Sequence, residues 1–164
     1  MDGSSEGEVD YAAEAEVWEC FSLLLQAAHA SAEARQGELR ESGTTMMQHA
    51  VLFVVKSTNG SASPSEIARQ LVRRRHTVWA LLNHMERKGL IRKTKDVPRK
   101  GMLRISITKE GENVFRRAVA NRGVVLEIMS CLSREQMTEF SVYLRSVRDK
   151  AHGHLGIRYQ VPYP

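Results

Sequence analysis

Between Ser63 and Ile107 the hydrophobic period changes from 3.6 residues to 2, directly after two helical segments separated by only a few residues. Ser63 can cap a helix, Pro64 suits the first helical position, and Glu66 stands where a capping box needs it. That opens the short helix SEIARQL, with a break expected at Val72-Arg73. A second helix runs from about Arg75 to Lys88, with Val78, Leu81, Leu82 and Met85 on one face, and Gly89 stops it. LIRKTK (90–95) and LRISI (103–107) then read as strands, joined by the turn-rich DVPRKG. A two-stranded hairpin with a basic tip is therefore expected.

Helical patterns flank this core. From about Asp10 to Arg40, Val17, Phe21, Leu24 and Ala28 recur at intervals of three and four, widened by Trp18 and Leu25. Ser42-Gly43 ends that helix, and Thr44 or Thr45 can cap the next, MMQHAVLFVV; STNGSAS (57–63) reads as loop. Thr108 can cap a helix that begins KEGENVFRRAV and is expected to continue towards Leu132. Ser133 with Gln136 makes a second capping box, before a helix striped by Met137, Phe140, Leu144 and Val147. At 164 residues one domain is expected, and no apolar run approaches the roughly 20 residues of a membrane span. The acidic start MDGSSEGEVDY lacks the basic region of a signal peptide. Cys20 and Cys131 give no disulfide framework, so a cytoplasmic location is expected.

Charge is unevenly spread. Residues 1–34 hold eight acids and no Lys or Arg, whereas residues 69–104 hold twelve Lys/Arg against Glu86 and Asp96 alone. A basic block of this kind suits a polyanionic partner. Helix, tight break, amphipathic helix and basic hairpin is the order of a winged helix-turn-helix, whose second helix enters the DNA major groove. The expected fold class is mainly α with a small β-hairpin wing. The candidate double-stranded DNA contacts are Ser63, Ser65, Arg73, Arg74, Arg75, His76, Thr77, Trp79 and Asn83, with Arg99 and Lys100 at the wing tip. Arg75 can pair with guanine and Asn83 with adenine, whereas Arg99 and Lys100 suit a minor groove or phosphates.

The stretch from Ser65 to Phe115 resembles the MarR (multiple antibiotic resistance) family. The matching features are Glu66–Ala68, Thr77-Val78, Leu81–Ile91 and Ser106–Gly111. The resemblance implies a homodimer in which N- and C-terminal helices intertwine. The expected organisation is a disordered 1–9, an N-terminal dimerisation helix 10–43, a DNA-binding lobe 44–111, C-terminal dimerisation helices 112–152 and a tail 153–164. It further implies a repressor on a pseudo-palindromic operator, released by a small aromatic or phenolic effector. Three departures stand out. Val72 occupies the usual Gly of the break, Arg74 the usual Ser or Thr cap, and Arg99-Lys100 an Asp-Arg pair that braces the wing.

Met46, Met47 and His49, on the second helix, are the candidate effector contacts. Cys20 falls where one branch of the family senses peroxides, but no Tyr lies between Tyr11 and Tyr143 to assist it, and a buried, inert thiol is the preferred reading. Trp79 has a buried-core alternative. The histidines, notably His152 and His154 placed just past a helix end, lack metal-ligand spacing, so no metal and no cofactor is expected. No phosphate loop, zinc-protease helix or GxSxG elbow suggests an enzyme. A winged-helix protein-interaction module, or a redox regulator using Cys20, remain the alternatives.

Overall fold

The computed structural model describes residues 11–96 and 102–157. In chain order the elements are α1 (Tyr11–Glu41), α2 (Met46–Ser57), β1 (Ser61–Ala62), α3 (Pro64–Gln70), α4 (Arg75–Arg87), β2 (Ile91–Asp96), β3 (Met102–Ile107), α5 (Lys109–Ala120), α6 (Gly123–Met129) and α7 (Arg134–His154). The fold is mainly helical with a small antiparallel sheet, as in a winged helix.

Local chemistry places the boundaries. Thr45, not Thr44, caps α2 by accepting from the Gln48 amide. Ser63 and Ser133 both close full capping boxes, with Glu66 and Gln136 reaching back to the cap amides. Thr108 caps α5 through the Gly111 amide.

Four of the described helices end in the same paired hydrogen bonds, in which the first two residues past the cap turn back to the last turn; at α7, Gly156 and Ile157 donate to Gly153 (3.1 Å) and His152 (2.9 Å). At α1, Gly43 and Thr44 donate to Arg40 and Leu39 (both 3.0 Å). At α4, Gly89 and Leu90 donate to Glu86 (2.9 Å) and Met85 (3.0 Å). At α3, Val72 and Arg73 donate to Arg69 (3.1 Å) and Ala68 (2.9 Å). The motif requires a left-handed residue, and φ is +82° at Gly43 and +70° at Gly89 but +51° at the β-branched Val72. A valine there is strained. Val72→Gly is expected to stabilise the fold by about 1 kcal/mol, the strain relief being partly offset by the greater freedom of glycine in the unfolded chain. A higher urea midpoint with unchanged slope checks this, and a lower midpoint would mean that the strain is illusory.

The core lies between α2, α3, α4, α5 and the sheet. Val51, Leu52, Val55, Ile67, Val78, Leu82, Met85, Ile91 and Ile105 are all buried in one cluster, with Leu81 and Phe115 packed against it. Each such aliphatic side chain contributes about 1.5–3 kcal/mol through burial, so the orientation of α4 is set by its inner face.

The sequence expectations for the sheet and for α5 need correction. Among the described residues the sheet has three strands, not two, in the order β1-β3-β2. Ser61 and Ala62 pair with Ser106 and Ile105, within a segment expected to be loop. Two residues cannot display a period, and what makes them a strand is the open edge of β3 beside them. The long helix expected to run towards Leu132 is also broken, between α5 and α6. There α5 ends against α1: the Asn121 side-chain NH2 donates to the Glu38 carbonyl (3.1 Å), and Arg35 caps the carbonyls of Ala118 (2.8 Å) and Asn121 (2.5 Å).

The stripes of α1 and α7 are left open. Residues 14–30 of α1 are exposed apart from Leu24, including Val17, Trp18, Phe21 and Leu25. On α7, Met137, Phe140, Leu144 and Val147 are exposed as well. Helix α7 extends through His154, so His152 and His154 lie within its last turn and not past its end. No described helix is long and apolar enough to cross a membrane.

Candidate nucleic-acid interface

Helix α4 turns Val78, Leu82 and Met85 inward and leaves its opposite face to solvent. Arg73, Arg74, Arg75, His76 and Thr77 are all exposed at its N-terminal end. Arg74 is the N-cap, in extended backbone and without a side-chain cap hydrogen bond. The first-turn amides of α4 are therefore left without that partner, at a helix end favourable to anions. Ser65 is exposed at the neighbouring start of α3. Ser63, in contrast, is buried, and its hydroxyl already accepts from the Glu66 amide (3.2 Å). Its evident role is to start α3.

Glu66 also faces Arg104 of β3 (3.4 Å), tying α3 to the sheet. Its carboxyl is held below the ordinary range, chiefly by the hydrogen bond from the Ser63 amide, then by the Ser63 hydroxyl and the nearby Arg104 and Arg69. Beside the α3–α4 turn lies a cleft of about 760 Å³, lined by Ser65, Arg69, Val72 and Arg73 to Arg75. Leu155 and Ile157, at the end of α7, complete its lining, which places the C-terminal end of the described chain beside the turn.

Further along α4, Trp79 is 46% exposed, which removes the buried-core alternative for it. It is not isolated. The Lys93 ammonium of β2 lies 5.0 Å from its ring centroid, donates to the Asn83 side-chain oxygen Oδ1 and pairs with Glu86 (3.0 Å). Glu86 also accepts from the Lys93 backbone amide (3.2 Å). Those contacts, led by the side-chain hydrogen bond, hold the Glu86 carboxyl below its ordinary range. Arg99 and Lys100 lie outside the described residues.

This arrangement matches known proteins. The model of the MarR family matches residues 42–100. The HTH-type transcriptional repressor MdtR of Bacillus subtilis (strain 168) is 29% identical over 121 residues, which is 73% of this chain and 77% of that protein. The ligand-free organohalide-sensing regulator RdhR-CbdbA1625 superposes with a TM-score of 0.77 at 26% identity, over 100% of this chain and 99% of its own.

Over its winged lobe the chain is similar to the MarR family.

It has a winged-helix fold similar to that of these regulators of transcription. A mutant of MarR from E. coli, complexed with operator DNA, shares the fold, with a TM-score of 0.74 at 16% identity over 80% of this chain and 95% of that one.

The effector candidates sit where α1, α2 and α5 meet. Met46 is exposed, and Met47 and His49 are half-buried. The His49 ring stacks on Phe115 at 5.2 Å and 12°, and Phe115 in turn carries Lys56, which is paired with Glu112 (2.6 Å). Burial first, and then the charge of Arg35, lower the His49 pKa, so the ring is neutral at pH 7. Among the described residues His49 Nδ1 and Gln36 Nε2 are buried without a hydrogen-bond partner, although Gln36 Oε1 accepts from the Met46 amide (3.0 Å).

Cys20 is exposed, which corrects the expectation of a buried thiol. The first half of α1 packs on almost nothing within the described chain, so an apolar stripe in sequence did not mean burial. The structure also adds two residues that sequence reasoning did not single out. Arg35 bridges α1 to the end of α5, and its only sequence trace is Glu38 three positions on. Lys93 engages three residues of α4, and only Asn83 and Glu86 on one helix face, close before a basic strand, hint at it.

Proposed function

We propose that this protein is a repressor that binds a pseudo-palindromic operator as a homodimer and is released by a small aromatic or phenolic effector. The observation that carries the reading is the exposed series Arg73 to Thr77 at the open N-terminal end of a helix whose other face is locked in the core. A groove-reading helix needs this combination, with cations and short polar groups outward and a fixed rotational setting. Arg75 is the expected base reader; Ser65, Arg73, Arg74, His76 and Thr77 suit phosphates or base edges; Arg99 and Lys100 complete the wing contact. The protein-interaction alternative fits less well, because interface centres favour apolar and aromatic anchors over such charge.

Dimerisation through α1 and α7 is supported by their exposed stripes, since a soluble helix rarely presents Trp18, Phe21, Phe140 and Leu144 to water without a partner. The effector reading is supported by the orphaned Nδ1 of His49, whose ring stacks on Phe115, and by the orphaned Gln36 Nε2 beside the start of α2, polar atoms that a phenolic ligand could satisfy. RdhR-CbdbA1625 has been crystallised with 2,4-dichlorophenol bound, at 27% identity to this chain over 92% of it and 89% of that one. The redox alternative rests on exposed Cys20 alone, without a cation or tyrosine described beside it.

The test is selection of duplexes from a random pool at moderate salt. An enriched inverted repeat with half-sites about one helical turn apart is expected. Arg75→Ala should then cost about 1–3 kcal/mol on the selected site and relax one position of the sequence preference, whereas Arg99→Ala should weaken all duplexes alike. Equal loss of preference from both would overturn this division, and no enrichment would overturn the operator reading.

A further inference from the structure

We propose that Lys93 is a positioning residue for base recognition, a cation of the wing strand that holds Trp79 and Asn83 in their reading geometry and does not itself contact DNA. The proposal rests on the groove-facing reading of α4 given above. In a chain of this charge the simple expectation for a lysine on a wing strand is a phosphate contact, and the geometry points elsewhere. The Lys93 side chain is only 11% exposed. Its ammonium is neutralised by the Glu86 carboxylate at 3.0 Å, donates to the Asn83 side-chain oxygen and lies against the face of the Trp79 ring. A buried, paired ammonium has no free charge to exchange for the counterions around DNA, so it adds nothing to the salt dependence of binding.

Its partners, however, are on the outer face of α4. Trp79 is half-exposed and Asn83 is partly exposed. Asn83 has one carboxamide oxygen and one NH2 group, and a bidentate contact with adenine needs both in a set orientation. The Lys93 hydrogen bond to the oxygen fixes that orientation with the NH2 group directed away from the ammonium. One of the oxygen's two lone pairs remains for a base. The cation over one face of Trp79 likewise fixes the ring and leaves its other face and edge available for a thymine methyl or a sugar. Because Glu86 also binds the Lys93 amide, the same contact keys β2 to α4, so the wing strand and the reading helix move together.

The test compares Lys93→Met, which keeps the length of the side chain, and Lys93→Arg, which keeps the cation, on the selected operator and on all its single-base variants over a salt series. Trp79→Ala and Asn83→Ala define which base pairs those residues govern. The expected result for Lys93→Met is a salt slope equal to wild type, with discrimination falling about fivefold or more at those base pairs and nowhere else. Lys93→Arg should restore much of it. The Trp79 indole N–H resonance, assigned with Trp18→Phe, should move in Lys93→Met without added DNA.

A shallower salt slope with base preference intact would make Lys93 a phosphate contact and overturn the proposal. So would a Lys93→Met protein identical to wild type, or one that loses affinity and thermal stability together without base-specific change. If Trp79→Ala and Asn83→Ala leave the preference untouched, the reading of this helix face fails, and the proposal with it. If they change it and Lys93→Met does not, only the proposal fails.

Discussion

Gly111→Ala is expected to destabilise the winged lobe by about 3 kcal/mol or more, a large share of the stability of a domain this size. Gly111 is buried in the first turn of α5, against the segment that leaves α4. A methyl group at this position would lie 1.9 Å from the Leu90 carbonyl oxygen and 2.9 Å from Ile107 Cγ1. The obstruction is backbone, so no rotamer change relieves it. The Leu90 carbonyl is itself held in place, because it accepts from the Thr108 amide (3.1 Å) while the Thr108 hydroxyl bonds the Gly89 carbonyl (2.5 Å). Separating α5 from this turn would therefore break the junction between α4, β3 and α5 that sets the position of the wing. Gly37→Ala is the control. Among the described residues nothing lies within 4 Å of its added methyl group, and in mid-helix it should stabilise by about 0.5–1 kcal/mol. Denaturation midpoints at one protomer concentration decide the matter. A Gly111 variant as stable as wild type would mean that the Leu90 carbonyl does not lie this close to α5.

The second large effect is expected at Arg35. Its guanidinium is bonded to the Glu38 carboxylate and to the carbonyls of Ala118 and Asn121, and the Arg35 side chain is 14% exposed. Arg35→Met should cost about 3 kcal/mol, because it strands the buried Glu38 and two carbonyls that end α5. Glu38 makes the prediction specific. Burial opposes its ionisation, but the Val124 amide, the Arg35 guanidinium and the Gly123 amide outweigh that and hold its pKa below the ordinary range. A lowered folded-state pKa contributes stability above the unfolded value, and that contribution is lost as pH falls through the folded one. The penalty of Arg35→Met should consequently shrink in acid, and Arg35→Met with Glu38→Gln should recover part of it. A penalty independent of pH in the acid range would mean that Arg35 acts through packing alone. Within the proposed function this junction also matters for release, since Arg35 links the proposed dimerisation helix α1 to the lobe, next to His49 and Gln36.

Most of the lobe was legible because its signals are local. Ser63-Pro64-Glu66 specifies a helix start by contacts within four residues, and Gly43 and Gly89 specify helix ends by a backbone angle. The inner face of α4 follows from the spacing of Val78, Leu82 and Met85 alone. Charge density marked the exposed Arg73 to Arg75 as outward-facing, because burying three unpaired guanidinium groups would cost far more than any packing could return.

What sequence could not supply were the contacts that depend on distant segments meeting. Strand β1 exists because β3, far along the chain, offers Ser61 and Ala62 an unpaired edge, which two residues cannot announce. The end of α5 was hidden because the apolar period continues through VLEIM, while the break is made by Arg35 and Glu38, more than 80 residues earlier. The Lys93 ammonium could not be distinguished from its exposed neighbours, since its burial depends on how β2 lies across α4. Local propensity, capping and period, acting within a few residues, thus determined which elements form and which faces of the lobe turn inward. Which charged groups remain free, where helices stop against one another, and why Gly111 must be glycine were decided only when the elements packed, because burial and hydrogen-bond satisfaction belong to the assembled surface and not to any one segment.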